Sequence, residues 1–272
     1  MGGTALAASP PQSAATTPPP GPATARGVAV RIDHVTKVFG SGGDSVTALD
    51  DISLSVGRGE FVCLLGASGC GKSTLLNLVA DLDRPTSGTV ECEGDPSFMF
   101  QEAALFPWLN VERNVDMPLR LRKVPKAVRQ QRVAELLEMV QLSAFAKRQP
   151  HELSGGMRQR VSLARALAQD AEVLLMDEPF GALDAMTRDI LHDELERIWQ
   201  ATGRTILFVT HNVREAVRLG DRVVLLTSRP GRVAEEFAVD IPRPRRIEDR
   251  DVAQLAGEIT TRLRQEVARH GR

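Results

Sequence analysis

The sequence has no tyrosine, only three cysteines and two tryptophans in 272 residues, and no apolar run long enough to cross a bilayer. A helical span needs about 18 consecutive apolar residues. The longest runs here, Phe61–Leu65 and Val173–Met176, have the length of buried strands. The chain is therefore not expected to span a membrane. An excess of one charge is missing too: 34 lysines and arginines face 35 acidic residues. That balance gives no sign of a nucleic-acid partner or of a strongly acidic substrate. Cys63, Cys70 and Cys92 are odd in number and lack metal-ligand spacing, which argues against a disulfide framework and fits a reducing compartment, by default the cytoplasm. Cys63 and Cys92 read as small core residues, and only Cys70, inside a glycine loop, is placed to couple oxidation to activity. Residues 1–26 lack the basic and apolar regions of a secretory signal. Their Ala, Pro, Thr, Ser and Gly composition reads as a disordered tail. No internal repeat is visible.

What is present is an alternation of strands and helices. Val28–Ile32, Ile52–Val56, Glu60–Leu65, Thr89–Cys92, Val173–Met176, Thr205–Val209 and Arg222–Leu226 read as strands. Helices over Lys72–Ala80, Asp184–Gln200 and Val213–Leu219 each follow a strand directly, so the fold class is α/β with a mostly parallel sheet. Met186, Ile190, Leu191, Leu195, Ile198 and Trp199 form an apolar stripe that predicts core packing. Between about 103 and 170 the pattern becomes helical, with Pro125 starting a helix whose buried face is Val128, Val133, Leu136, Leu137 and Val140. The spacing of Val252, Leu255, Ile259, Leu263 and Val267 predicts a last amphipathic helix over 249–272. The basic stretch Pro242–Arg246 before it reads as a solvated linker.

Two motifs carry chemistry. Gly66-Ala67-Ser68-Gly69-Cys70-Gly71-Lys72-Ser73 follows an apolar strand and opens a helix, the setting of a phosphate-binding P-loop. Glycines let successive amides turn toward phosphate oxygens, the helix N-terminus adds partial positive charge and Lys72 a full one. Ser73 is placed to ligate Mg²⁺, and the resemblance to other P-loop proteins implies that Thr74 meets the α-phosphate side of ATP. The second motif, Val173–Glu178, is an apolar strand ending in two carboxylates. Strand alternation would point them apart, Asp177 to the metal and Glu178 as general base toward a water attacking the γ-phosphate.

Leu153-Ser154-Gly155-Gly156-Met157-Arg158-Gln159-Arg160 resembles the signature motif of ABC ATPases, with Met157 where glutamine is commonest. The chain, over about 28–230, is accordingly identified as similar to that family. The resemblance implies a P-loop NTPase core (27–248) with a small antiparallel β-subdomain and an inserted helical subdomain. It also implies a head-to-tail pair of copies in which Ser154, Gly155 and Gly156 cap the γ-phosphate held by the opposite P-loop. Gln101 resembles the Q-loop glutamine that contacts Mg²⁺ and water, Asp184 the D-loop aspartate at the dimer interface, and His211 the switch histidine that orients the attacking water. Phe39 stands where an aromatic stacks on adenine. His34, His151, His192 and His270 read as incidental. A short stretch from Thr89 to Phe98 suggests a trimmed hairpin before the Q-loop.

Residues 101–115, and 211–232 with Ser228-Arg-Pro-Gly-Arg232, look like the ATPase subunits of bacterial nitrate, sulfonate and taurine importers. This implies a transmembrane permease as partner, an external solute-binding protein acting indirectly, and a peripheral place on the cytoplasmic face of the cell membrane. Phe106, Pro107 and Trp108 are candidates for the permease contact, against the alternative that Trp108 packs the subdomain. A soluble ABC ATPase serving repair, translation or cluster assembly is the second expectation. The chain lacks the paired cassettes or long coiled coil that usually accompany those roles.

Overall fold

The computed structural model describes residues 27–181 and 183–270; the tail expected over 1–26 lies outside them. Among the described residues, nine strands form two sheets. β1 (Val28–Phe39), β2 (Val46–Gly57) and β4 (Ser87–Cys92) make an antiparallel sheet in the order β2-β1-β4. The second sheet runs β5-β6-β7-β3-β8-β9, built from β5 (Ser97–Met99), β6 (Val173–Asp177), β7 (Thr205–Thr210), β3 (Phe61–Leu65), β8 (Arg222–Leu226) and β9 (Val233–Ala238). All its pairings are parallel except β8 with β9.

Its central strands are buried on both faces, and side-chain alternation splits them between two cores. Phe61, Cys63, Leu65, Leu174, Met176, Ile206 and Phe208 enter the core beneath the helices. Val62, Leu64, Val173, Leu175, Leu207 and Val209 face the antiparallel sheet and α1 (Lys72–Val79). The helical side holds α2 (Val111–Leu121), α3 (Lys126–Met139), α4 (Gly155–Leu167), α5 (Ala185–Thr202), α6 (Val213–Leu219) and α7 (Arg250–His270). After β4 the chain passes straight to the parallel strand β5, in keeping with the trimmed hairpin.

Several expectations are corrected. β1 and β2 are 12 residues each, longer than their apolar centres, because a paired antiparallel strand continues wherever the ladder does. Short β5 and polar β9 carry little apolar signal, and both are held by pairing to a neighbour. On α5, Leu191, Leu195, Ile198 and Trp199 are buried, but Met186 is 77% exposed and Ile190 also faces out. The sheet covers only the C-terminal half of that stripe. Val128 is exposed as well, being in the first turn of α3 before it meets α2 and α4.

The basic stretch is not a solvated linker. Arg245 is buried and donates to the carbonyls of Ile241 (2.8 Å), Val217 (3.0 Å), Gly220 (2.6 Å) and Val239 (2.9 Å). Burial lowers its pKa to about 10, still far above neutrality, so the cation persists. Arg243 pairs with Glu196 and Asp221 and lies over the Trp199 ring at 4.5 Å. His192 is not incidental to the packing either. Wholly buried, it joins Glu215 through Nε2 (2.6 Å) and Arg218 through Nδ1 (3.1 Å).

Candidate active site

Ligands bind at the C-terminal ends of parallel strands, where the loops converge. Here β3, β6 and β7 end side by side, with Leu65 beside Thr210 and Asp177 beside Val209. The P-loop, the carboxylate pair and His211 thus emerge along one edge. Between β3 and α1 the loop turns through Gly71, whose φ of 99° only glycine adopts without strain. A Cβ there would also stand 2.6 Å from Leu49 Cδ2 and 2.9 Å from the Ala48 carbonyl, so β2 acts as the mould for the loop.

Lys72, almost fully buried, donates to the carbonyls of Gly66 (2.8 Å) and Ala67 (3.0 Å). Its ammonium lies 3.9 Å from Glu178 Oε1, and Glu178 Oε2 lies 2.9 Å from His211 Nδ1. Glu178 therefore stands between the P-loop lysine and the histidine. It does so for a reason other than strand alternation: β6 stops at Asp177, and Glu178 takes a left-handed φ of 43°. That turn aims its carboxylate across the mouth of the loop. Such strain in a non-glycine residue costs of order 1–3 kcal/mol and concentrates at functional sites. Asp177 receives a hydrogen bond from Ser73, while burial pushes its pKa up.

One pocket collects Phe39, Ser68, Gly69, Lys72, Ser73, Thr74, Gln101, Asp177 and Glu178 around the loop, with Gly71, Val46 and Ala48 as its floor. Lys37 covers the Phe39 ring, with its ammonium 4.9 Å from the centroid, while Phe39 itself is half exposed, leaving apolar area for a flat base. Gly66, Ala67 and Cys70 shape the loop from behind. Cys70 Sγ would be 2.7 Å from a Cβ on Gly66, and burial raises its thiol pKa. A buried thiol with a raised pKa has little thiolate to react, which argues against redox coupling there. Among the described residues no group of three or more His, Cys, Asp or Glu could hold a metal. The oxygens of Ser73, Asp177 and Gln101 are nevertheless hard donors that fit Mg²⁺ if phosphates and water complete the shell.

Ser154, Gly155, Gly156 and Asp184 are not in this pocket; they meet one another elsewhere. Ser154 Oγ accepts from the Met157 amide and caps α4. Asp184 caps α5 through the Thr187 amide, and those hydrogen bonds lower its pKa. A Cβ on Gly156 would come 2.3 Å from Thr187 Cγ2, so the two capped helix starts are in contact. One chain therefore carries the glycine loop that opens α1 and, separately, a second glycine-lined helix start at α4.

Sequence reasoning missed two features. Gln159 Nε2 donates to the Gln101 carbonyl (2.8 Å), and Arg165 donates to the carbonyls of Ala103 (2.9 Å) and Ala104 (2.7 Å), fastening the Gln101 loop to α4. Arg229 lines the pocket beside Gly69. Both arginines look like ordinary surface cations in the sequence, and only the fold brings them to these loops.

A model of the ABC transporter family matches residues 49–181. The taurine import ATP-binding protein TauB of Burkholderia pseudomallei is 48% identical over 77% of this chain and 84% of its own. The nitrate import ATP-binding protein NrtD of Synechocystis is 45% identical over 78% of this chain and 83% of its own. Among solved structures, a dimeric post-hydrolysis state of the ATP-binding cassette MJ0796 bound to ADP and Pi superposes with a TM-score of 0.70, at 33% identity over 78% of this chain and all of the other. The loop between β3 and α1, the capped start of α4 and these matches agree: this chain belongs to the ATP-binding proteins of the ABC transporter family.

Proposed function

We propose that this chain binds Mg–ATP in the pocket around Lys72, hydrolyses it with Glu178 as general base, and does so as one half of a head-to-tail pair. The position of Glu178 between Lys72 and His211 carries the reading. Lys72 and the loop amides hold the polyphosphate, and Phe39 receives the base. Ser73, Asp177 and Gln101 would hold Mg²⁺, which when bound offsets charge on the β- and γ-phosphates. Glu178 accepts a proton from the attacking water, and His211, bonded to the same carboxylate, orients that water. Ser154–Gly156 of one copy caps the phosphate held by the other, Asp184 lies at their interface, and 27–248 forms the working unit.

The pair drives a separate permease at the cytoplasmic face of the membrane, importing a small anion or sulfonate of the nitrate or taurine type delivered by an external binding protein. Trp108, 71% exposed beside Phe106, supports a permease contact over packing within the subdomain. Nothing observed favours the soluble alternative. Glu178→Gln tests the core of the proposal: hydrolysis should fall about 10²–10⁴-fold, and Mg–ATP should shift the variant to a dimer in gel filtration. Turnover at the wild-type rate would remove the base assignment.

A further inference from the structure

The turn between β8 and β9 is held against the P-loop from outside. Thr227 Oγ1 donates to the Pro230 carbonyl (2.8 Å) and accepts from the Arg232 amide (2.9 Å). The Gly231 amide donates to the Ala48 carbonyl and the Asp50 amide to the Gly231 carbonyl, both at 2.9 Å, while Arg232 pairs with Asp50. A Cβ on Gly231 would lie 2.2 Å from the Cys70 carbonyl, so the turn rests directly on the loop's back. A frame this well tied fixes where the turn's other arginine begins.

That cation is Arg229. It is exposed, lines the same pocket as Phe39, Gly69 and Lys72, and its Nη2 lies 3.5 Å from where a Cβ of Gly69 would stand. Among the described residues it makes no hydrogen bond or ion pair, whereas Lys72 is engaged by two loop carbonyls and stands near Glu178. Asp177 and Glu178 line the same pocket. An uncommitted guanidinium on the rim of a phosphate cradle has a bidentate fork suited to phosphate oxygens.

We propose that Arg229 is a second cationic contact for the phosphate tail of the nucleotide, closing on it from the Gly69 edge and favouring di- and triphosphates over monophosphates. This rests on the nucleotide reading of the pocket. The guanidinium binds by hydrogen bonds and charge alone, with no bond made or broken.

Calorimetric titration of the purified full chain with Mg–ATP, Mg–ADP and AMP, for the wild type, Arg229→Ala and Arg229→Lys, separates the two claims. Wild-type protein without affinity for Mg–ATP would defeat the nucleotide reading itself. Given wild-type binding, Arg229→Ala should raise Kd for ATP and ADP about tenfold, near 1.4 kcal/mol, and for AMP less than roughly twofold. Arg229→Lys should recover part of the loss, and both variants should melt with the wild type, since the side chain supports no folded contact. Equal Kd values for ATP across the three proteins would overturn the inference, as would an equal loss on AMP. So would loss of self-association alone, which would place the arginine against a second copy.

Discussion

Two neighbouring carboxylates at the end of β6 meet opposite surroundings. Glu178 is turned toward a lysine and a histidine, while Asp177 is held low in the pocket against Ser73, where burial disfavours its charge. A carboxylate whose folded pKa is raised contributes stability that is present below its unfolded value of 3.8 and lost as the pH rises through the folded one. Above its folded pKa the ionised Asp177 is therefore a cost to the protein without nucleotide. Asp177→Asn should raise Tm at pH 7, with the gain shrinking toward pH 4, and should cut hydrolysis by about a hundredfold or more. Melting curves without nucleotide decide it: a lower Tm at pH 7 would mean that the Ser73 and Lys72 contacts outweigh the burial. The gathering of Lys72, Ser73, Asp177 and Glu178 at one pocket was legible because spacing after an apolar strand fixes which backbone they sit on. The direction of Glu178 was not, since a left-handed residue after a strand leaves no mark in the sequence.

The contact between Gly156 and Thr187 belongs to the scale of elements, because it brings the starts of α4 and α5 together. Thr187 cannot simply rotate away: its amide and hydroxyl both bond the Asp184 carboxylate. Gly156→Ala should therefore force the two helix starts apart, costing about 1–3 kcal/mol. Adding Thr187→Ser, which deletes the clashing methyl and keeps the hydroxyl, should restore most of it. Denaturant unfolding of the two single variants and the double variant measures the coupling, and simple additivity would show that the helices relax without it. Helix starts lie at Ser154 and Asp184, whose side chains cap α4 and α5. The reach of each buried face was not legible in the sequence. Periodicity marks a stripe, but what covers it depends on where the neighbouring elements end, as exposed Met186 and Ile190 demonstrate.

Across the whole molecule, the segment leading to the last helix is held by a buried ion. α7 packs Val252, Ala256 and Ile259 into the helical core, and the chain reaches it past Arg245, which gathers carbonyls from the end of α6, from Gly220 and from Val239. Arg245→Met keeps the bulk and leaves these acceptors without a donor, at about 1–3 kcal/mol for each that water cannot reach. The expected outcome is a loss of more than roughly 4 kcal/mol, outside the usual range for one substitution, seen as a lower midpoint in urea. A change below about 1 kcal/mol would mean that water replaces the guanidinium.

The fastening of the Gln101 loop to α4 has a mechanical meaning. Gln159 and Arg165 grip that loop from positions along the rod whose tip is Ser154. A helix of 13 residues is about 20 Å long and stiff. A ligand that moved the loop would therefore pull on the rod through these hydrogen bonds. In the proposed pair, such a yoke would link the pocket of one copy to the helix start it offers the other.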